Sequence, residues 1–302
     1  MTNTKFHSVV NAAMTGGLSP DDTKAGRLQR ACLELLRQHE ADGALPTSNR
    51  FIYYELVQRG IVEKHKPGGG GGGRRSDQDT TEALFRLREV GLVPWEWIVD
   101  ETRSFTAWRY ADSVLSYLEA TVPLARIDLW DDHAPPVIIT ESRSLAGVLE
   151  GLAREYLVPI TSTNGQAGGH LRTDVAPNLQ VGQRVLYLGD FDWQCGQIEA
   201  NTRGVLERLV GWLDWGRLAI TEEQVRRYSL PVISKPDRRY KPARYHDAVE
   251  TEALGQNIIV GIVRDHLNSI LPEPIEDVQE RESDQCAAAT IALRRLRSGA
   301  DR

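Results

Sequence analysis

The run VLYLGDFDWQCG, residues 185–196, decides how the chain is read. Val185, Leu186, Tyr187 and Leu188 are apolar in unbroken succession, stop at Gly189, and lead into Asp190 and Asp192. A β-rich apolar run ending in glycine predicts a strand buried on both faces of a parallel sheet. Open α/β sheets place their ligands beyond the carboxyl ends of such strands, where the two aspartates fall. At i and i+2 on extended backbone they point the same way, and hard oxygens so arranged suit one divalent cation. Acidic residues at strand ends also cap helices, which is the blander reading. A second run of the same kind, Val137–Thr140, ends in Glu141, whose own alternative is to cap a helix at Leu145. Packing alone gives no reason to gather three carboxylates. Without a cation their repulsion raises pKa values and costs stability.

Around these two strands the pattern alternates. Strand-like runs RIDLW, PVIIT, LVPIT, RVLYL and RLAI are separated by helical stretches at Leu145–Tyr156, Ile198–Leu213 and Glu222–Tyr228. Such alternation predicts a mainly parallel sheet covered by helices, starting near residue 125. After Leu230 the stretch SLPVISKPDRRYKPARYH is proline-rich and basic and reads as a long loop. DAVETEALGQNIIVGIVRDHLNSIL then returns to strand and helix, closing a unit over 125–272, with a helical tail over 273–302.

Upstream, residues 1–24 read as a leader. Leu28, Cys32, Leu35 and Leu36 keep helical spacing, and Asp42-Gly43 is the stop. A second helix follows Thr47-Ser48, either of which can cap it, with Ile52, Leu56 and Val57 inward. Six glycines, Gly68–Gly73, followed by Arg74-Arg75, form a loop with basic edges. They lack the Lys-[Ser/Thr] and preceding strand of a P-loop. A third helix spans Asp77–Val90, and Trp95–Val99 looks like a short strand. Three helices and a small β element predict a winged helix-turn-helix over 25–103. A connecting helix over 104–124 carries Phe105, Trp108, Tyr110 and Tyr117. The fold class expected is therefore α/β, α+β overall.

Composition narrows the function classes. The net charge of −6 argues against a protein that simply coats nucleic acid, though it says little about one local groove. Three cysteines without a CxxC pair support neither a disulfide framework nor a cysteine zinc site. The seven histidines show no ligand spacing, and there is no GxSxG elbow. Neither a signal peptide nor an apolar run of the ~20 residues that cross a bilayer is visible, so the expectation is cytoplasmic, with no membrane partner. Basic runs Arg226-Arg227 and Arg238-Arg239-Tyr240-Lys241 are either solvated charge or phosphate contacts.

VIITE at 137–141 with GDFDWQCGQI at 189–198 resembles the Toprim domain, which holds Mg²⁺ through one glutamate and a DxD pair. SNRFIYYEL at 48–56 is similar to the R-x-x-Y-Y signature of the type IIB topoisomerase A subunit (topoisomerase VI A) and the meiotic double-strand-break transesterase. DAVETEAL at 247–254 resembles a glutamate-containing strand near that family's carboxyl end. Trp193 stands where the family usually has proline. The resemblance covers about residues 25–272 and implies a winged-helix domain followed by a Toprim-like domain.

Carried over, it makes Tyr54 the nucleophile and Arg50, one turn earlier on the same helix face, the group that neutralises the phosphate. Packing is the competing role for both Tyr53 and Tyr54, and the one favoured for Tyr53. Glu141 becomes ligand or general acid/base, and Asp190 and Asp192 metal ligands. The family implies double-stranded DNA as partner, nucleoid association, and a homodimer in which one protomer's tyrosine works with the other's metal. Strand passage would need a separate ATPase B-type subunit. The alternatives are a Toprim nuclease that hydrolyses phosphodiesters without a covalent tyrosine, and an inactive DNA-binding protein.

Overall fold

The structure, a computed structural model, describes residues 17–63, 76–99, 107–163, 168–192, 196–237 and 244–300. The glycine tract, Arg74-Arg75, Trp193, Cys195 and the basic run 238–241 lie outside them.

Unbroken apolar runs do become the central strands. β1 (Val137–Thr140), β2 (Ile160–Ser162), β3 (Arg184–Leu188) and β5 (Asp214–Ala219) form a parallel sheet in the order β2-β1-β3-β5. Their side chains alternate between two cores. Ile138, Leu186 and Leu188 face α5 (Arg143–Glu155) and α8 (Gln256–Ile270), while Val137, Ile139, Val185 and Tyr187 face α6 (Gln197–Val210). From β1 the chain passes to β2 on one side and then to β3 on the other. The strand order therefore reverses between β1 and β3, which is where an open sheet offers a crevice at its carboxyl end.

Downstream of β3, β4 (Phe191–Asp192) leaves this sheet and pairs antiparallel with β7 (Arg244–Val249), which pairs with β6 (Ile233–Asp237). The stretch expected as a long loop after Leu230 is thus in part a strand pair. α7 (Glu222–Arg227) precedes it, and α9 (Ile275–Ala300) ends the described chain. RIDLW is not a strand. Asp128 takes hydrogen bonds from the backbone N–H groups of Trp130 and Asp132, folding the run into a turn.

The N-terminal unit has three helices, α1 (Lys24–Ala41), α2 (Asn49–Gln58) and α3 (Ser76–Glu89), around Cys32, Leu35, Leu36, Ile52, Leu56, Leu84 and Leu87. Ser48 is the N-cap of α2 and accepts from Phe51 N–H at 3.3 Å. The strand expected at 95–99 is instead a 3₁₀ turn, Trp95–Trp97, and a single bridge between Ile98 and Thr47. The connecting helix α4 (Val114–Thr121) starts later than expected because Ser113 caps it. No described helix is long and apolar enough to cross a membrane.

The two units are packed together. Phe51 of α2 is fully buried within the core formed by α5 and α8, and Ser48 Oγ meets Ser144 Oγ at 2.6 Å. Gln256 donates to the carbonyls of Ala44 and Pro46, and Gln58 to that of Ala253. Phe51→Ala is expected to lower stability by about 3–5 kcal/mol, read as a fall in the urea midpoint, since it opens a cavity at that seam.

Candidate functional site

Three segments converge where the strand order reverses. Glu141 follows β1 and bonds across to β3, its N–H donating to Leu188 O at 2.9 Å. It does not cap α5, because Ser142 is the cap. Its carboxylate turns to the loop after β3 and accepts from Asp190 N–H at 3.1 Å. Gly189 makes that approach possible. A Cβ there would stand 2.9 Å from Glu141 Oε2 and 2.7 Å from the Tyr187 ring and hydroxyl. Arg217 braces the same loop from β5, donating to Gly189 O at 3.1 Å and Ile220 O at 2.8 Å.

The aspartates of the DxD pair take different partners. Asp190 Oδ1 accepts from the N–H of Thr251 at 2.9 Å and from its hydroxyl at 3.0 Å. Asp192, on β4, lies 3.0 Å from His246 Nε2 on β7. Among the described residues no group of three or more His, Cys, Asp or Glu side chains is arranged to hold a metal ion. Glu141 and Asp190 are therefore brought into direct contact, while Asp192 is engaged one strand position farther along.

The turn after β7 adds two carboxylates that sequence reasoning left unassigned. Glu252 sits in the 3₁₀ turn Thr251–Leu254 with its side chain fully buried. Its Oε1 accepts from Ser142 Oγ at 2.9 Å, and Arg50 Nε lies 2.9 Å from the same oxygen. Its Oε2 has no hydrogen-bond partner among the described residues. Glu250 is 3.8 Å from the Arg50 guanidinium. Burial pushes the Glu250 carboxyl up to about 7, with Arg50 opposing the shift and Glu252 adding to it. Burial also raises Glu252, against the pull of Arg50. Arg50 itself is held more firmly protonated, because Glu252, Glu250, Asp190 and Glu141 together outweigh its burial.

Arg50 and Tyr54 share the face of α2 that spacing predicted, the guanidinium carbon lying 5.9 Å from the Tyr54 ring centroid. Tyr54 is 6% exposed and meets Tyr53 edge-on at 5.4 Å. Tyr53, expected to pack, is also buried, its hydroxyl 3.4 Å from Ser76 Oγ. The Arg50 side chain is 43% exposed and forms the open rim of the cluster.

The carboxylates expected to hold a divalent cation are not gathered into one ligand group among the described residues, Asp190 being turned to Thr251 and Asp192 to His246, though hard oxygen donors are the chemistry such an ion takes. Two buried polar atoms beside Glu141 and Arg50, Tyr187 Oη and Glu252 Oε2, have no hydrogen-bond partner among the described residues. Of the three expected ligands, Glu141 and Asp190 meet through the Asp190 N–H, and Asp192 is paired with His246. His246, one of the histidines without ligand spacing, reaches Asp192 through the pairing of β4 with β7. For Glu250 and Glu252 the one available signal was the DAVETEAL segment. Comparison with protein-family models, with curated proteins and with solved structures finds no match.

Proposed function

We propose that the chain cleaves DNA strands by Mg²⁺-dependent transesterification with Tyr54 as nucleophile, in the manner of type IIB topoisomerase A subunits. The observation that carries this reading is the position of Arg50, between the Tyr54 ring and the Glu252 carboxylate. It joins the tyrosine-bearing helix to the acids of the turn after β7, with Asp190 and Glu141 from the carboxyl ends of β3 and β1 acting on it at longer range. On this reading the N-terminal helices are a winged-helix unit and the parallel sheet is Toprim-like. The substrate is double-stranded DNA, and a homodimer cuts both strands.

A divalent cation held by Glu141, Asp190 and Asp192 would offset the charge that develops on the phosphate and the departing sugar oxygen. Tyr54 Oη forms the new bond to phosphorus as the sugar oxygen leaves. The bond energy stays in a phosphotyrosine, so the strand can be rejoined. A phenol ordinarily titrates near pH ~10, so its proton needs an acceptor, and we assign that transfer to Glu141. Arg50 neutralises the phosphate under attack.

The second reading, hydrolysis by an activated water, is favoured by one observation: Tyr54 is 6% exposed, which leaves little of it for a substrate to reach. The two separate on plasmid DNA incubated with protein and Mg²⁺ and quenched with detergent. Transesterification gives breaks with protein attached, released only by protease, and Asp190→Asn lowers their yield by at least about 100-fold. Protein-free ends from the outset would overturn it in favour of hydrolysis. DNA retention without Mg²⁺-dependent breakage would overturn both.

A further inference from the structure

We propose that Glu252 is a further ligand of the cation site, and that Arg50 is the site's resident counter-ion, displaced when a divalent cation binds. The inference rests on the reading above, that the acidic cluster takes such a cation.

Its first support is Glu252 itself. A carboxylate with its side chain fully buried and one oxygen lacking a hydrogen-bond partner among the described residues is costly in a folded protein. The neighbouring groups explain Oε1, which has Ser142 and Arg50, but not Oε2. A cation supplies what the protein leaves out.

The second support is charge. The Arg50 guanidinium serves two carboxylates at once, Glu252 at 2.9 Å and Glu250 at 3.8 Å. One cation shared between two such carboxylates leaves them an attraction for further positive charge. Arg50 already stands where that charge is wanted, and a divalent ion competes for the same oxygens.

The third is the way out. The Arg50 side chain is 43% exposed and is held by Glu252 at 2.9 Å and Glu250 at 3.8 Å, so once the Glu252 contact gives way it turns toward solvent. Once released it faces an incoming phosphate. Cation binding would thus prepare the phosphate-binding group on the helix that carries Tyr54, and without the cation that group stays bound to Glu252. Arg50 here is a positioning residue for the cation site as well as a phosphate contact.

Mn²⁺ binding to the full chain, without DNA, tests this by calorimetry and by the electron paramagnetic resonance of free Mn²⁺. Arg50→Ala is expected to tighten Mn²⁺ binding by about tenfold, because a competitor is removed, whereas Arg50→Lys keeps affinity within about threefold of wild type. Glu252→Gln is expected to weaken it by about tenfold, and to do so again in the Arg50→Ala background. That second arm matters. If Glu252 only restrains Arg50, its loss has no effect once Arg50 is gone, and the ligand assignment falls. Unchanged or weaker binding in Arg50→Ala overturns the counter-ion role while leaving the cation reading intact. No Mn²⁺ binding by the wild-type chain overturns both. Should Arg50→Ala fail to fold, the Arg50 Nε–H resonance of the wild-type protein, assigned by its loss in Arg50→Lys, should shift on saturation with Mg²⁺. An unmoved resonance overturns the displacement.

Discussion

Tyr54→Phe is expected to abolish protein-linked DNA breaks, by at least about 10³-fold, while leaving Mn²⁺ binding and the fold in place. The substitution removes one oxygen and keeps the ring, which packs against Tyr53 and lies beside Arg50. Its cost to stability should therefore not exceed that of one hydrogen bond, about 1 kcal/mol. The comparison is sharp because the acids that would hold the cation lie on other elements. Glu141 is placed by β1, Asp190 by the loop after β3, and Thr251 fixes the orientation of Asp190. If the phenylalanine protein still produces Mg²⁺-dependent breaks at the wild-type rate, Tyr54 is a packing residue and water is the nucleophile. A detergent-quenched gel with and without protease, run beside a thermal melt, decides between these outcomes.

What could be read from the sequence depended on whether the deciding interactions were local. β1 and β3 were legible because strands buried on both faces keep unbroken apolar runs, and the acids that follow them mark the carboxyl edge of the sheet. The Arg50–Tyr54 pairing was legible from helical spacing alone. The strand pair β6–β7 was not, since Pro231, Pro236 and a run of basic residues hide any alternation and the pairing is settled by contacts across the sheet. RIDLW misled for the opposite reason: its apolar residues suggest a strand, but the Asp128 carboxylate captures two backbone N–H groups and closes a turn. The site was half visible. Glu141 and Asp190 meet as their strand positions required, whereas Glu250, Glu252 and His246 enter through a turn and a strand whose placement no spacing encodes. The capping role weighed for Glu141 went to Ser142, one residue on, which leaves the carboxylate free of that duty and turned toward Gly189.

Glu250→Gln should flatten the pH dependence of stability between about pH 4.5 and 7, measured in chelator. The Glu250 carboxyl is raised from 4.5 to about 7, chiefly by burial. A raised acid in the folded state means that the folded chain binds more protons than the unfolded one across this window. Stability therefore falls as pH rises through it. The contribution is fully present below 4.5, where both states are protonated, and is lost above about 7, where both are ionised. At 1.36 kcal/mol per pH unit the loss reaches about 3 kcal/mol, less if the turn relaxes to admit water. Glutamine keeps the shape and cannot ionise, so the variant should be the more stable protein at pH 8 and close to wild type at pH 4.5. Urea midpoints at the two pH values supply the test, and equal losses in both proteins would show that Glu250 is not the group responsible. The sign of the effect reverses when a cation is supplied. Ionised carboxylates that repel one another in its absence become an asset in its presence, so Mg²⁺ should restore wild-type stability at pH 8 and help the variant less. A stability gain from Mg²⁺ equal in the two proteins would mean that Glu250 lies beyond the influence of the ion.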